Sequence, residues 1–218
     1  MPCLAPSEFL TPALTVTIGT AAETFIEADY LRSVKRTSFF PLSTVDFADF
    51  SHGFGNTALY IAFLKASNPA LSVSKLISIS GAGDLKIPDI MTHDPGRRTE
   101  FYEIKPNSID GRAAGARKVS LIGAALASNG MPHIAGIQYS PKKKVRFFKG
   151  APLGHSIEIF FSFERTAPGL ILYEFCVEGD ISGLALDVLL AIVAAAVVTF
   201  FIKFVLAAAA AGGILVLA

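Results

Sequence analysis

From Ile181 to Ala218 the chain carries only two charges, Asp187 and Lys203. No other feature restricts the fold as strongly. Val188 to Ile202 is fifteen residues without a charge, and Phe204 to Ala218 is fifteen more. A bilayer core takes ~20 mostly apolar helical residues. Leu184 to Leu206 meets that length, and its charges fall near the ends, where a lysine can snorkel. The whole run as one straight helix would overshoot the hydrocarbon. The competing reading is a helix covered by its own domain or by a partner. Length favours membrane contact, and no flanking basic loop sets an orientation. The other end shows no cleavable leader. Its first basic residue is Arg32, and Pro2, Pro6 and Pro12 interrupt the apolar character before it.

Charge is unevenly spread along the 218 residues. Residues 84–150 hold twelve basic and six acidic side chains, whereas residues 151–218 hold two basic and six acidic. From Gly111 to Ile157 there are eight basic residues and no acid. Such a stretch in a chain of net charge +1 fits either a polyanion contact or a solvated face. At 52% hydrophobic and 17% charged, the chain is too apolar for global disorder. Two cysteines, Cys3 and Cys176, are too few for a disulfide scaffold or a Cys-rich zinc site.

The periodicity predicts an α/β or α+β domain. Residues 1–20 form an irregular lead. A helix over Thr20–Lys35 starts at a Thr20/Glu23 capping box, and a second covers Asn56–Ala66. Leu76–Ser80, Lys86–His93 and Thr99–Lys105 follow as strands, with turns at 81–84 and at Asp94-Pro95-Gly96-Arg97. Gly111–Ser128 is a helix with Ala113, Ala116, Leu121 and Ala124 available for packing. Ile134–Tyr139 and Lys144–Phe148 are strands, and Ile157–Phe163 with Leu170–Cys176 forms a hairpin. The division is a lead and helix at 1–53, a domain at 54–180 and an apolar tail at 181–218.

Chemistry concentrates in residues 87–108, IPDIMTHDPGRRTEFYEIKPNS. Alternate strand residues share a face, so Glu103 and Lys105 point one way. With a three-residue loop at Pro95-Gly96-Arg97, Asp89 falls opposite Glu103. A cross-strand pair stands within ~5 Å, and two carboxylates that close repel unless a cation lies between them. Oxygen ligands of this kind suit Mg²⁺ or Mn²⁺, and a neighbouring lysine can orient a water or steady developing charge. An exposed hairpin with ordinary surface charges is the competing reading.

Pro88-Asp89, thirteen intervening residues, and Glu103-Ile104-Lys105 together resemble the PD-(D/E)XK nuclease superfamily. FYEIKPNS followed by a Gly- and Ala-rich basic helix resembles nuclease domains of bacterial polymorphic toxins and secretion-system effectors. The resemblance covers roughly residues 54–140. It implies a restriction-endonuclease-like mixed sheet flanked by helices, with the apolar helical segment appended. It also implies that Asp89, Glu103 and the Ile104 carbonyl bind Mg²⁺ or Mn²⁺, while Lys105 positions or deprotonates the attacking water. Many members carry a further acid on the helix before the sheet. The helix Asn56–Ala66 has none, and Glu23 or Glu27 on the first helix is the substitute. One or two metal ions both fit this pattern.

Arg112, Arg117 and Lys118 on the following helix, and Lys142, Lys143 and Lys144 beyond it, are the candidate phosphate contacts. The lysine cluster serves equally well as a charged edge against aggregation. His52, His93, His133 and His155 show no ligand spacing. The resulting expectation is a metal-dependent nuclease acting on DNA, with RNA as the other substrate. It would be an antibacterial toxin or effector with a membrane-active tail, membrane-associated or secreted into a target cell, and met by an immunity protein or chaperone. A membrane-inserting or pore-forming protein with a scaffold domain is the alternative, followed by an inactive nuclease fold that binds nucleic acid.

Overall fold

The computed structural model describes residues 2–34, 56–80, 87–92 and 99–210. The loop at 37–55 with His52, the turns at 81–84 and 94–97, and His93 lie outside them. The strands are β1 (Cys3–Leu4), β2 (Ile90–Met91), β3 (Glu100–Pro106), β4 (Ile134–Ala135), β5 (Lys142–Gly150), β6 (Ile157–Ala167) and β7 (Leu170–Gly179). The helices are α1 (Pro12–Val34), α2 (Asn56–Ser67), α3 (Val73–Ser80), α4 (Ile109–Ser128) and α5 (Leu186–Ala210). The fold is mixed α+β.

β6 and β7 form the hairpin that their alternation predicts, turning at Pro168-Gly169 with Gly169 at φ +72°. Ile157, Ile159, Phe161 and Phe163 of β6 face inward. The sheet order is β2-β3-β7-β6-β5. β3 runs antiparallel to β2 and parallel to β7, and β4 lies parallel to β3 beside its first residues. Cys3 and Cys176 are disulfide-bonded and fasten β1 to β7. Two cysteines that cannot build a scaffold therefore still supply one staple.

Each sheet face has its own core. On one side α1 and α5 cover β6 and β7. Ile18, Ala22, Ile26 and Tyr30 meet Leu189, Val193, Val197 and Phe201 there. On the other side Tyr60, Phe63 and Leu64 of α2, Leu76 and Ile79 of α3, and Ile122 and Leu126 of α4 pack over Met91 and Phe101. The described parts of the lead, the central region and the tail thus share one sheet.

Four elements depart from the sequence pattern. α1 begins at Pro12, so Thr20 lies mid-helix and does not cap it. The hydroxyls of Thr15, Thr17, Thr20 and Thr24 donate back to carbonyls four residues earlier, which satisfies them within a threonine-rich helix. LISIS at 76–80 alternates like a strand but is helical. Leu76 and Ile79 are buried at i, i+3, and Ile77 is 57% exposed. β4 stops at Ala135: the Gly136 amide still donates to the Phe101 carbonyl, but those of Ile137 and Gln138 turn to the Glu100 carboxylate. α4 packs through Gly111, Gly115, Ile122 and Leu126, leaving Ala113, Ala116 and Ala124 exposed.

α5 is long and apolar enough over Leu186–Phe204 to cross a membrane. One face of it is nevertheless bound into the domain through Leu189, Val193, Val197 and Phe201. Asp187, Ala191, Ala195, Thr199, Ile202 and Lys203 are exposed.

Candidate metal centre

β2 and β3 bring the first two candidate ligands together. The observed register pairs Ile90 with Tyr102 and Met91 with Phe101. Continued by one residue, it sets Asp89 across from Glu103, the pairing expected from the sequence. Ile90, Tyr102 and Ile104 face the core under α1, so Asp89, Glu103 and Lys105 lie on the α4 side. Asp89 is 8% exposed and Glu103 fully buried.

The backbone amide of Ile104 donates to Asp89 Oδ2 at 2.6 Å, which fixes that carboxylate against β3. The Lys105 ammonium lies 2.8 Å from the Ile104 carbonyl oxygen and 3.5 Å from Asp89 Oδ2, and it pairs with Glu103 Oε1. One cationic atom thus touches all three groups that the resemblance assigns to a metal ion. Glu23 of α1 reaches the same ammonium at 3.9 Å. Glu27 is buried one turn farther along α1.

α4 adds a residue that the sequence pattern assigned elsewhere. Lys118 Nζ is 2.9 Å from Glu103 Oε1 and 3.6 Å from Asp89 Oδ1, with 14% of its side chain exposed. Lys118 is therefore drawn into the carboxylates and does not stand on an outer phosphate-facing surface. The helix comes this close because Gly111 and Gly115 line the contact. A Cβ at Gly115 would stand 2.5 Å from Leu170 Cδ1 and 3.2 Å from Lys105 Cγ. Lys118 follows Gly115 by three residues and precedes Ile122 by four, so it lies on the same stripe. A charged residue at an apolar-face position was the available signal.

Burial pushes the Glu103 carboxyl up to about 7, and Asp89 adds to this while Lys105 and Lys118 oppose it. Burial pulls the Lys105 ammonium down, but Asp89, Glu103 and Glu23 outweigh it and hold it above the usual lysine range. Lys118 is raised by the same balance, with Asp89 and Glu103 as the opposing charges. Both lysines are cationic at neutral pH. Both Glu103 oxygens are buried with no hydrogen-bond partner, Oε1 being met by the two ammoniums as ion pairs.

This donor set fits Mg²⁺ or Mn²⁺. It offers two carboxylates and a carbonyl, no sulfur and no imidazole, and a buried carboxylate whose two oxygens lack a hydrogen-bond partner. Among the described residues, the close His/Cys/Asp/Glu trio is Cys3, Glu174 and Cys176, whose sulfurs are bonded to each other, so it offers no ligand set.

Lys105 also lines a cleft of about 690 Å³ with Asn107, Ser108, Arg112 and Glu174. Arg112 Nε donates to Asn107 Oδ1 at 2.7 Å, and Asn107 Nδ2 donates to Glu174 Oε2 at 2.6 Å. Arg112 therefore stands on the wall of the cleft that Lys105 also reaches. Arg117 is exposed elsewhere on α4. The basic strand β5 is largely self-neutralised. Lys143 pairs with Asp29 at 2.5 Å, Lys144 with Glu178, and Arg146 and Lys149 with Glu158. Lys142 is exposed at its start. β5 is an edge strand of the sheet path, so this charge also discourages edge pairing.

A second polar network braces the centre from behind. Glu100 is 1% exposed and accepts from Tyr102 Oη at 2.5 Å, while Tyr102 Oη accepts from the Tyr139 amide at 2.9 Å. Tyr139 Oη then donates to Asp29 of α1 at 2.8 Å. His133 is buried, its Nε2 3.0 Å from the Thr92 carbonyl oxygen, which ties it to the strand end and not to the centre.

No family model matches the chain, and neither a curated protein nor a solved structure matches it.

Proposed function

We propose that the chain is a metal-dependent phosphodiester hydrolase, a nuclease of the PD-(D/E)XK type on an endonuclease-like fold. The observation that carries this reading is the convergence of Asp89, Glu103 and the Ile104 carbonyl on one cationic atom, beside a buried carboxylate oxygen that lacks a donor. Those three groups hold Mg²⁺ or Mn²⁺. A bound ion of this kind polarises the phosphate and eases deprotonation of water. Lys105, released from the carboxylates, positions the attacking water and steadies the charge that develops. Glu23 stays within reach of Lys105 and limits where its ammonium can go. Arg112 in the adjoining cleft contacts the phosphate backbone.

DNA is the substrate class we assign. The test incubates the full chain with supercoiled plasmid, and in parallel with RNA, in Mg²⁺ or Mn²⁺ and in EDTA. Metal-dependent nicking supports the reading, and a folded protein that cleaves neither polymer refutes it. The full chain is required because α5 is part of the core.

A membrane-contacting role for α5 rests on its own observation: an apolar helix whose outward residues include Leu186, Ala191, Ala195, Ile202 and Leu206. To cross a bilayer the helix would have to withdraw Leu189, Val193, Val197 and Phe201 from the sheet. Lying on a lipid surface needs no such withdrawal. That arrangement suits an effector that reaches its target at a membrane.

A further inference from the structure

We propose that Lys118 is the second cation of the centre and limits it to a single divalent metal ion. This rests on the hydrolase reading above. Two-metal phosphoryl-transfer sites hold a pair of ions ~3.5–4 Å apart, each compensating carboxylate and phosphate charge. Here the second position is already filled from the protein. Lys118 Nζ bridges Glu103 Oε1 at 2.9 Å and Asp89 Oδ1 at 3.6 Å, the same two carboxylates that face Lys105.

Lys105 and Lys118 both approach Glu103 Oε1, yet neither Oε1 nor Oε2 has a hydrogen-bond partner, so the buried carboxylate keeps capacity for a metal ion. Lys118 is thus a positioning residue. It aims the carboxylate and supplies fixed charge that costs no reorganisation during reaction. Gly111 and Gly115 exist on its stripe because the helix must approach β3 closely enough for a lysine to reach.

The experiment counts Mn²⁺ bound to the full chain by the loss of the free-ion electron paramagnetic resonance signal, with plasmid cleavage measured alongside. Wild type binds one Mn²⁺ per chain. Lys118→Glu places a carboxylate where the ammonium stood and binds two. Lys118→Met, which keeps the length without the charge, lowers kcat about 100-fold with little change in KM, and Lys118→Arg restores most of it. Circular dichroism of each variant confirms folding, and Lys118→Met serves where Lys118→Glu does not fold. Two Mn²⁺ on the wild type together with cleavage overturns the role of Lys118 and leaves the hydrolase reading standing. Unchanged kcat in folded Lys118→Met does the same. A wild type that neither binds Mn²⁺ nor cleaves overturns both.

Discussion

The Lys105 ammonium lies 2.8 Å from the carbonyl oxygen of Ile104, its own neighbour in β3. A lysine that folds back along its strand in this way competes with any cation for the oxygens around it. Replacing Lys105 with alanine therefore separates two roles. Lys105→Ala is expected to bind Mn²⁺ as tightly as wild type or tighter, and to lose cleavage by on the order of 10²-fold or more. Calorimetric titration with Mn²⁺ beside a plasmid assay checks both halves. Loss of metal binding in a folded Lys105→Ala would contradict the assignment.

Glu103 makes metal binding pH-dependent. Its carboxyl is pushed up to about 7 by burial and by Asp89, against Lys105 and Lys118, with Glu23 facing Lys105 from α1. The metal ion needs the ionised form, so apparent Mn²⁺ affinity rises about tenfold per pH unit below that value and levels above it.

The sign for stability is opposite. Glu103 holds its proton in the folded chain up to about 7, against an ordinary value of 4.5. Without metal, the fold binds more protons than the unfolded chain between those values. The contribution of Glu103 to stability thus falls across that window, by on the order of 3 kcal/mol. Urea unfolding of wild type and Glu103→Gln at about pH 5 and about pH 8 isolates this slope, which Glu103→Gln should lack.

α4 tolerates no side chain at its first contact with β3. A Cβ at Gly111 would stand 2.2 Å from the Pro106 carbonyl oxygen, a backbone atom that cannot swing aside. Gly111→Ala is expected to cost about 1–3 kcal/mol in urea unfolding. It also tilts the helix that carries Lys118, so cleavage should fall by more than the loss of folded protein explains.

The two faces of α5 respond differently. Phe201 is 2% exposed against Phe161 and Phe175, and Phe201→Ala should destabilise the chain by about 3–5 kcal/mol. Ala195 is exposed, so Ala195→Lys should leave urea unfolding within about 0.5 kcal/mol of wild type. The same substitution should reduce co-sedimentation with liposomes if that face meets lipid. Unchanged co-sedimentation would remove membrane contact from the account.

The β6–β7 hairpin, β3 and α2 were legible because their apolar periods are long and their turns or caps are plain. LISIS was not, since five residues fit a period of two as well as a short helix, and only packing against α2 and α4 decides between them. The Asp89–Glu103 pairing followed from loop length and strand alternation alone. Glu23 was legible as one of two carboxylates one helical turn apart, and packing of α1 on the sheet brings it within 3.9 Å of the Lys105 ammonium. Lys118 was visible as a charge and read as a phosphate contact, and its pairing with Glu103 and Asp89 was not foreseen. Its meaning depends on the glycines that set the height of α4 over β3, and sequence pattern carries no such distance.

Metal-dependent hydrolysis at this centre is tested by plasmid cleavage by the full chain and by Asp89→Asn, Glu103→Gln and Lys105→Ala, each checked for folding, in Mn²⁺ and in EDTA. Wild type should nick plasmid in Mn²⁺ and not in EDTA, with losses of on the order of 10²-fold or more in all three variants. Wild-type nicking that survives in all three folded variants, or in EDTA, would contradict it.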